Sequence, residues 1–150
     1  MTATTIKSNH TYDVVIVGGG AAGVGVAITL GDADIHNVLV LERHSIGASF
    51  HSWPAETRFI TPSFPSNSIG MLDMNSVAIG TSIAYSMGVE HPTGREYAFF
   101  LNLIAMHFEV PVCENTDVTS IVREGIGFTV ETSAGTVRAR NVIWAAGDFQ

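Results

Sequence analysis

Gly18, Gly20 and Gly23 stand in the spacing G-x-G-x-x-G, directly after the apolar residues Val14 to Val17 and ahead of a second apolar run, Val24 to Leu30. Between a strand and a helix, this spacing suits a diphosphate, and each glycine has its own task. Gly18 permits the tight turn out of the strand. Gly20 has no Cβ to hold a diphosphate off the backbone, and Gly23 lets the helix lie close to the strand. The helix then points unpaired N–H groups and its positive dipole end at the anion. A second apolar strand, Val38 to Leu41, ends in Glu42, which stands 19 residues after Gly23. A carboxylate at that strand tip can accept hydrogen bonds from both ribose hydroxyls of an adenosine.

Other chemistries find less support. The six histidines include no pair at metal-ligand spacing with a carboxylate beside it. Gly-x-Ser-x-Gly is absent, so no serine nucleophile elbow is present. Asp73-Met74-Asn75 lacks the carboxylates of a calcium loop. Cys113 is the single cysteine, which leaves no disulfide framework, CxxC redox pair or zinc cluster and reads as a small buried hydrophobe in a reducing cytoplasm. A net charge of −7 with only seven scattered Lys and Arg argues against nucleic acid. The stretch from Val14 to Leu30 is too short and too rich in glycine for a membrane span.

The elements that must position these residues follow from periodicity. A chain of 150 residues that is 46% hydrophobic fits one domain with a real core. Residues 1–10 are polar and read as a flexible tail rather than a signal peptide. The first helix is expected to close at Gly31-Asp32. Residues 43–92, rich in Gly, Ser, Pro, Met and aromatics and broken by Pro54, Pro62 and Pro65, read as a functional loop with a short helix between Ser76 and Met87. Thr93-Gly94-Arg95-Glu96 reads as a capping box, followed by Tyr97, Phe100, Leu101, Ile104, Ala105 and Phe108 at helical spacing. Strands are expected at 115–122, 128–132 and 136–140, a β-meander, followed by a separate buried strand, 141–147, that ends in small residues. Small residues at that end let backbone approach a ligand.

Together these pieces resemble the FAD-binding domain of the two-dinucleotide-domain flavoproteins, the flavin-containing monooxygenase and pyridine-nucleotide oxidoreductase families. The motifs that carry the likeness are the glycine fingerprint, Glu42 with Arg43, Gly47-Ala48-Ser49-Phe50 as a variant of a G-G-T-W element, and Ala145-Ala146-Gly147 in the place of A-T-G. The resemblance covers residues 11–150 and implies an α/β fold, a Rossmann-like parallel sheet joined to an antiparallel β-meander. It implies that Gly18, Gly20 and Gly23, with the N–H groups of Ala21 and Ala22, cradle the FAD pyrophosphate. Glu42 would hold the adenosine ribose, Arg43 flank the adenine, and Val118 meet the adenine edge through its backbone. Ser49 and Phe50 would lie near the ribityl chain or isoalloxazine, and Ala146 and Gly147 would line the cofactor. For Phe50 and Trp53, simple core packing is an equal alternative. His51, Arg58 and the Trp53 region are candidates for the flavin or substrate side, and no catalytic acid or base can be named.

In the family a second glycine fingerprint for NAD(P)H follows, and a later segment closes over the flavin. Neither pattern occurs in these 150 residues, so the chain is expected to be the N-terminal part of an FAD-dependent NAD(P)H oxidoreductase, monooxygenase-like, with a small-molecule substrate. Its other partner is expected to be the missing C-terminal portion or a second copy. Two rival readings stand beside it: an NAD-binding dehydrogenase domain, since Glu42 suits NAD as well, and a non-catalytic nucleotide-binding fragment that needs a complementing chain. Dithiol chemistry within this segment is excluded by the single cysteine.

Overall fold

The computed structural model describes residues 4–61 and 71–147, so Pro62 and Pro65 lie outside the described residues. A parallel sheet forms first. β1 (Thr11–Val17) pairs with β2 (Val38–Leu41) through the helix α1 (Ala21–Asp32), and β2 pairs in parallel with the two-residue β3 (Val112–Cys113). All four residues of β2 are buried, as are Val14, Val15, Ile16 and Val17 of β1, so these runs read as continuous apolar strands covered on both faces.

The two faces are covered differently. Val14, Ile16, Val38 and Val40 pack against Ala27, Val26 and Leu30 of α1. Tyr12, Val15, Leu39 and Leu41 pack on the opposite side with Val130, Val137 and Ala139 of the meander. That meander consists of β4 (Val118–Glu124), β5 (Gly127–Thr132) and β6 (Gly135–Trp144), and the hydrogen-bonded order is β3-β2-β1-β6-β5-β4.

One expectation is corrected here: the third meander strand and the closing strand are a single ten-residue strand. Its first half pairs antiparallel with β5, from Gly135↔Thr132 to Ala139↔Phe128, and its second half runs parallel to β1 as far as Trp144↔Val17. Asn141, at the junction of the two halves, donates from its side chain to the Asp13 carbonyl at 3.0 Å, along the β6–β1 seam. The meander also starts later than residue 115. Asn115 sits at φ 54°, and the backbone of Asn115 and Thr116 donates to the carbonyls of His44 and Glu42 at 2.8 Å each, so these residues form a turn.

The helix α4 (Gly94–His107) begins at the expected capping box. Thr93 Oγ1 accepts from the Glu96 N–H, and Glu96 Oε2 accepts from the Thr93 N–H at 2.7 Å. Tyr97, Phe100, Leu101, Ile104 and Ala105 are buried against Val24 and Ile28 of α1. The helix expected over 76–87 is shorter: α3 (Ile83–Met87) starts only after Gly80, at φ 74°, and Ser82, whose hydroxyl caps it. Its support is a buried polar knot. The Asp73 carboxylate accepts from the Ser82 hydroxyl and, at 2.8 Å, from the Asn75 N–H, and the Tyr97 hydroxyl donates to the Asn75 carbonyl at 2.9 Å. In the first helix, α1 continues through Gly31 and Asp32, with Ala33 as its C-cap and Asp34 in the left-handed region at φ 61°.

Residues 4–10 form no helix or strand but lie against the domain. Ile6 packs beside Tyr12 and Cys113, and the Cys113 thiol donates to the Thr4 carbonyl at 3.2 Å. Burial pushes that thiol's pKa up. No helix of the described residues is long and apolar enough to cross a membrane.

Candidate functional site

The C-terminal ends of β1, β2 and β6 meet at one edge of the sheet, and the glycine loop sits among them. The three glycines of the fingerprint answer to three different demands. Gly18 lies at φ 111°, and a Cβ there would sit 2.4 Å from the Ala145 carbonyl oxygen; it is the end of β6, as much as the turn itself, that requires glycine. A Cβ on Gly23 would come within 1.8 Å of the Gly18 carbonyl oxygen, so α1 can lie this close to β1 only with glycine there. At Gly20 a Cβ would meet nothing within 4 Å, because this position faces an open cleft.

α1 opens at that cleft with no side-chain cap or acid of its own: its N-cap is Gly20, and its first turn holds no acidic residue. In most helices a Ser, Thr or Asp would take up the first N–H groups. The loop is held instead from below: the Gly18 N–H donates to the Leu41 carbonyl at 2.8 Å, and the Gly47 N–H donates to the Gly19 carbonyl at 3.0 Å.

Glu42 ties the loop to β2. Its Oε2 accepts from the Gly19 N–H at 2.6 Å, and its Oε1 accepts from the His44 N–H at 2.8 Å. Each carboxylate oxygen has two lone pairs, so capacity for further donors remains. The sequence signals Glu42 by its place at the strand tip, but it gives no sign of the bond to Gly19.

The cleft has a volume of about 680 Å³, within the range of sites for small molecules and cofactors. Gly18, Gly20, Ala21 and Ala22 form one wall, and Ala145, Ala146 and Gly147 stand beside them. Glu42, Arg43, Ser49, Phe50 and Trp53 also line it. A smaller pocket of about 80 Å³ adjoins it, sharing Gly18, Glu42, Arg43 and Ala146 and adding Val118 and Trp144. Every residue singled out from the sequence for cofactor binding therefore lines one of these two spaces, except Gly23, which acts by letting α1 approach.

Ser49 and Phe50 lie on a one-turn helix, α2 (Ala48–His51), rather than a loop. The Phe50 ring lies 4.8 Å from Tyr97 and 5.3 Å from Trp53, both edge-on, so Phe50 packs into the core and lines the cleft at once. The choice between those two roles was no choice. A Cβ on Gly94 would meet the Phe50 carbonyl oxygen at 2.1 Å, which is how close α4 brings this aromatic group to the cleft. Arg58 and His51 do not line it; the Arg58 guanidinium donates to the His91 carbonyl at 3.0 Å and lies 3.7 Å from Glu96. Thr116 and Asp117 line the smaller pocket and were missed, because an apparent strand hid the turn that carries them. No group of three metal-ligating side chains occurs among the described residues.

The model of the pyridine nucleotide-disulphide oxidoreductase family matches residues 15–150. An uncharacterized CzcO-like oxidoreductase of Geobacillus kaustophilus is 29% identical over 144 residues, a match covering 94% of this chain and 37% of the relative. Among solved structures, the bacillithiol disulfide reductase of Staphylococcus aureus superposes with a TM-score of 0.77 at 20% identity, over 92% of this chain and 39% of its own. A flavin-containing monooxygenase from Stenotrophomonas maltophilia gives 0.67 at 22% identity, over 91% of this chain and 38% of its own. These structural likenesses speak for the fold, and the chain spans a little over a third of the length of the proteins it matches. Since the family's pattern runs from β1 through the meander to the small residues after β6, the chain belongs to the pyridine nucleotide-disulphide oxidoreductase family.

Proposed function

We propose that this chain is the FAD-binding portion of an FAD-dependent NAD(P)H oxidoreductase, monooxygenase-like, acting on a small-molecule substrate. The observation that carries the reading is the bond from the Gly19 N–H to Glu42, which fixes a carboxylate near an uncapped helix N-terminus in the lining of one cleft. FAD fits what is present. Open space above Gly20 and the N–H groups of Ala21 and Ala22 suit the pyrophosphate, and Glu42 suits the adenosine ribose. Arg43 and Val118 would flank the adenine, Ser49 and Phe50 the flavin half, and Ala146 and Gly147 the backbone between them. When bound, FAD supplies acceptance of hydride from NAD(P)H and delivery of electrons to an acceptor; the protein supplies binding, orientation and exclusion of water.

An NAD-binding dehydrogenase domain would continue with further βα units after β3. Here the chain instead forms the antiparallel meander, whose last strand joins the sheet beside β1, which favours the flavin reading. The single, buried Cys113 suits a reducing compartment such as the cytoplasm and leaves no dithiol in this segment. The test is a visible spectrum of the purified chain after incubation with FAD and gel filtration. A retained flavin absorbance supports the reading. A colourless protein that is instead protected by NADH in calorimetry contradicts it.

A further inference from the structure

Trp144 closes β6 beside Val17, and the register continues from Val17 to Leu41 and from Leu41 to Cys113. These four residues form one row across the sheet at its C-terminal edge. Val17, Leu41 and Cys113 are 6%, 1% and 4% exposed, whereas Trp144, at the end of the row, is 59% exposed. Trp144 lines the smaller pocket, where Val17, Leu41 and Val118 share the lining with Glu42, Arg43, Thr116 and Asp117. The space is small and mixed in character, with apolar residues standing beside charged and hydroxyl-bearing ones. A purine has the matching character: two apolar faces, polar edges, and a sugar leaving from one corner toward a group that can accept hydroxyl hydrogens.

We propose that Trp144 is the adenine-binding platform of this site, its indole packing against the base of the nucleotide whose ribose Glu42 receives. The inference rests on the dinucleotide reading above and adds to it a side chain that recognises the base. Aromatic side chains bind bases through their π-faces, so loss of the ring weakens binding severalfold or more. The phosphate cradle at Gly18 to Gly23 is a separate wall and does not depend on it.

The chain has two tryptophans, so Trp53→Phe leaves Trp144 as the only one and makes its emission a direct reporter. The experiment titrates that protein with ADP, following Trp144 fluorescence and calorimetry in parallel, and repeats the calorimetry with Trp144→Ala, Trp144→Phe and inorganic pyrophosphate. The expected result is a change in Trp144 emission that saturates with ADP binding. ADP affinity should fall about 10-fold in Trp144→Ala and largely return in Trp144→Phe, with pyrophosphate affinity unchanged in both. ADP binding seen by calorimetry without a change in Trp144 emission overturns the proposal, as does undiminished ADP affinity in Trp144→Ala; either result leaves the cradle standing. A parent protein that binds neither ADP nor pyrophosphate overturns the dinucleotide reading, and the proposal falls with it.

Discussion

The Gly19 N–H donates to Glu42 Oε2 at 2.6 Å, joining the glycine loop to the tip of β2 across 23 residues of sequence. The residue suited to receive a ribose is thus also a brace for the loop suited to receive phosphate. Charge-assisted bonds of this kind contribute about 1.5–3 kcal/mol. Glu42→Gln turns one acceptor oxygen into a donor that faces a backbone N–H. ADP affinity is expected to fall about 10–100-fold, with pyrophosphate affinity falling less, because the amide loses a ligand contact as well as the brace. Calorimetry with the two ligands reads the difference. Equal losses for both would mean that Glu42 acts only on the loop.

Gly20 and Gly23 should fail in opposite ways. Gly23→Ala drives a Cβ into the Gly18 carbonyl oxygen, so α1 must move away from β1, and a stability loss of about 3 kcal/mol or more is expected by urea denaturation. Gly20→Ala meets nothing within the protein and should stay within about 1 kcal/mol of the parent, yet lose most pyrophosphate and ADP binding. A Gly20→Ala protein that binds normally would remove the phosphate from this wall of the cleft.

Thr93→Ala removes half of a capping box and should cost about 1 kcal/mol at neutral pH. The Glu96 carboxyl is held below its ordinary value of 4.5, chiefly by the hydrogen bond from the Thr93 backbone, then by the Thr93 hydroxyl. A depressed carboxyl pKa contributes stability that is present above the unfolded value and is lost as pH falls through the folded one. The difference between parent and variant should therefore shrink as the pH is taken below about 4.5, which denaturation curves at successive pH values will read.

Tyr97 lies under α3, with its hydroxyl on the Asn75 carbonyl at 2.9 Å. Burial, aided by the nearby Asp73 carboxylate, pushes its phenol well above its ordinary value of 10.0. A raised phenol pKa means stability that is intact below that ordinary value and is lost as pH rises toward the folded one. Tyr97→Phe is expected to cost about 1 kcal/mol at neutral pH and to flatten the loss of stability above about pH 10. An unchanged alkaline limb would contradict this.

Much of the site was legible because its parts rest on local rules. The glycine spacing, the continuous apolar strands β1 and β2, the acid at the tip of β2 and the Thr93–Glu96 box each depend on residues close in sequence. What was hidden depends on distant partners. β3 is two residues long and exists only because β2 offers an edge, and Thr116 turns back because the Glu42 carbonyl accepts its N–H. β6 reads as two strands because it pairs antiparallel with β5 and parallel with β1, and no periodicity within 135–144 reports that it has two distant partners. The double role of Phe50 likewise needs α4, whose Gly94 lets the aromatic group close up beside the cleft.

The central claim is that the cleft at the glycine loop holds FAD by its ADP half. Its most direct measurement is competition: FAD binding to the chain, followed by flavin fluorescence, with ADP, FMN and NADH as competitors. FAD should bind, ADP should displace it with an affinity close to its own direct binding, and FMN, which lacks the adenosine, should compete poorly. Binding of FMN as tight as that of FAD, or binding of NADH in a protein that takes up no FAD, would contradict the claim.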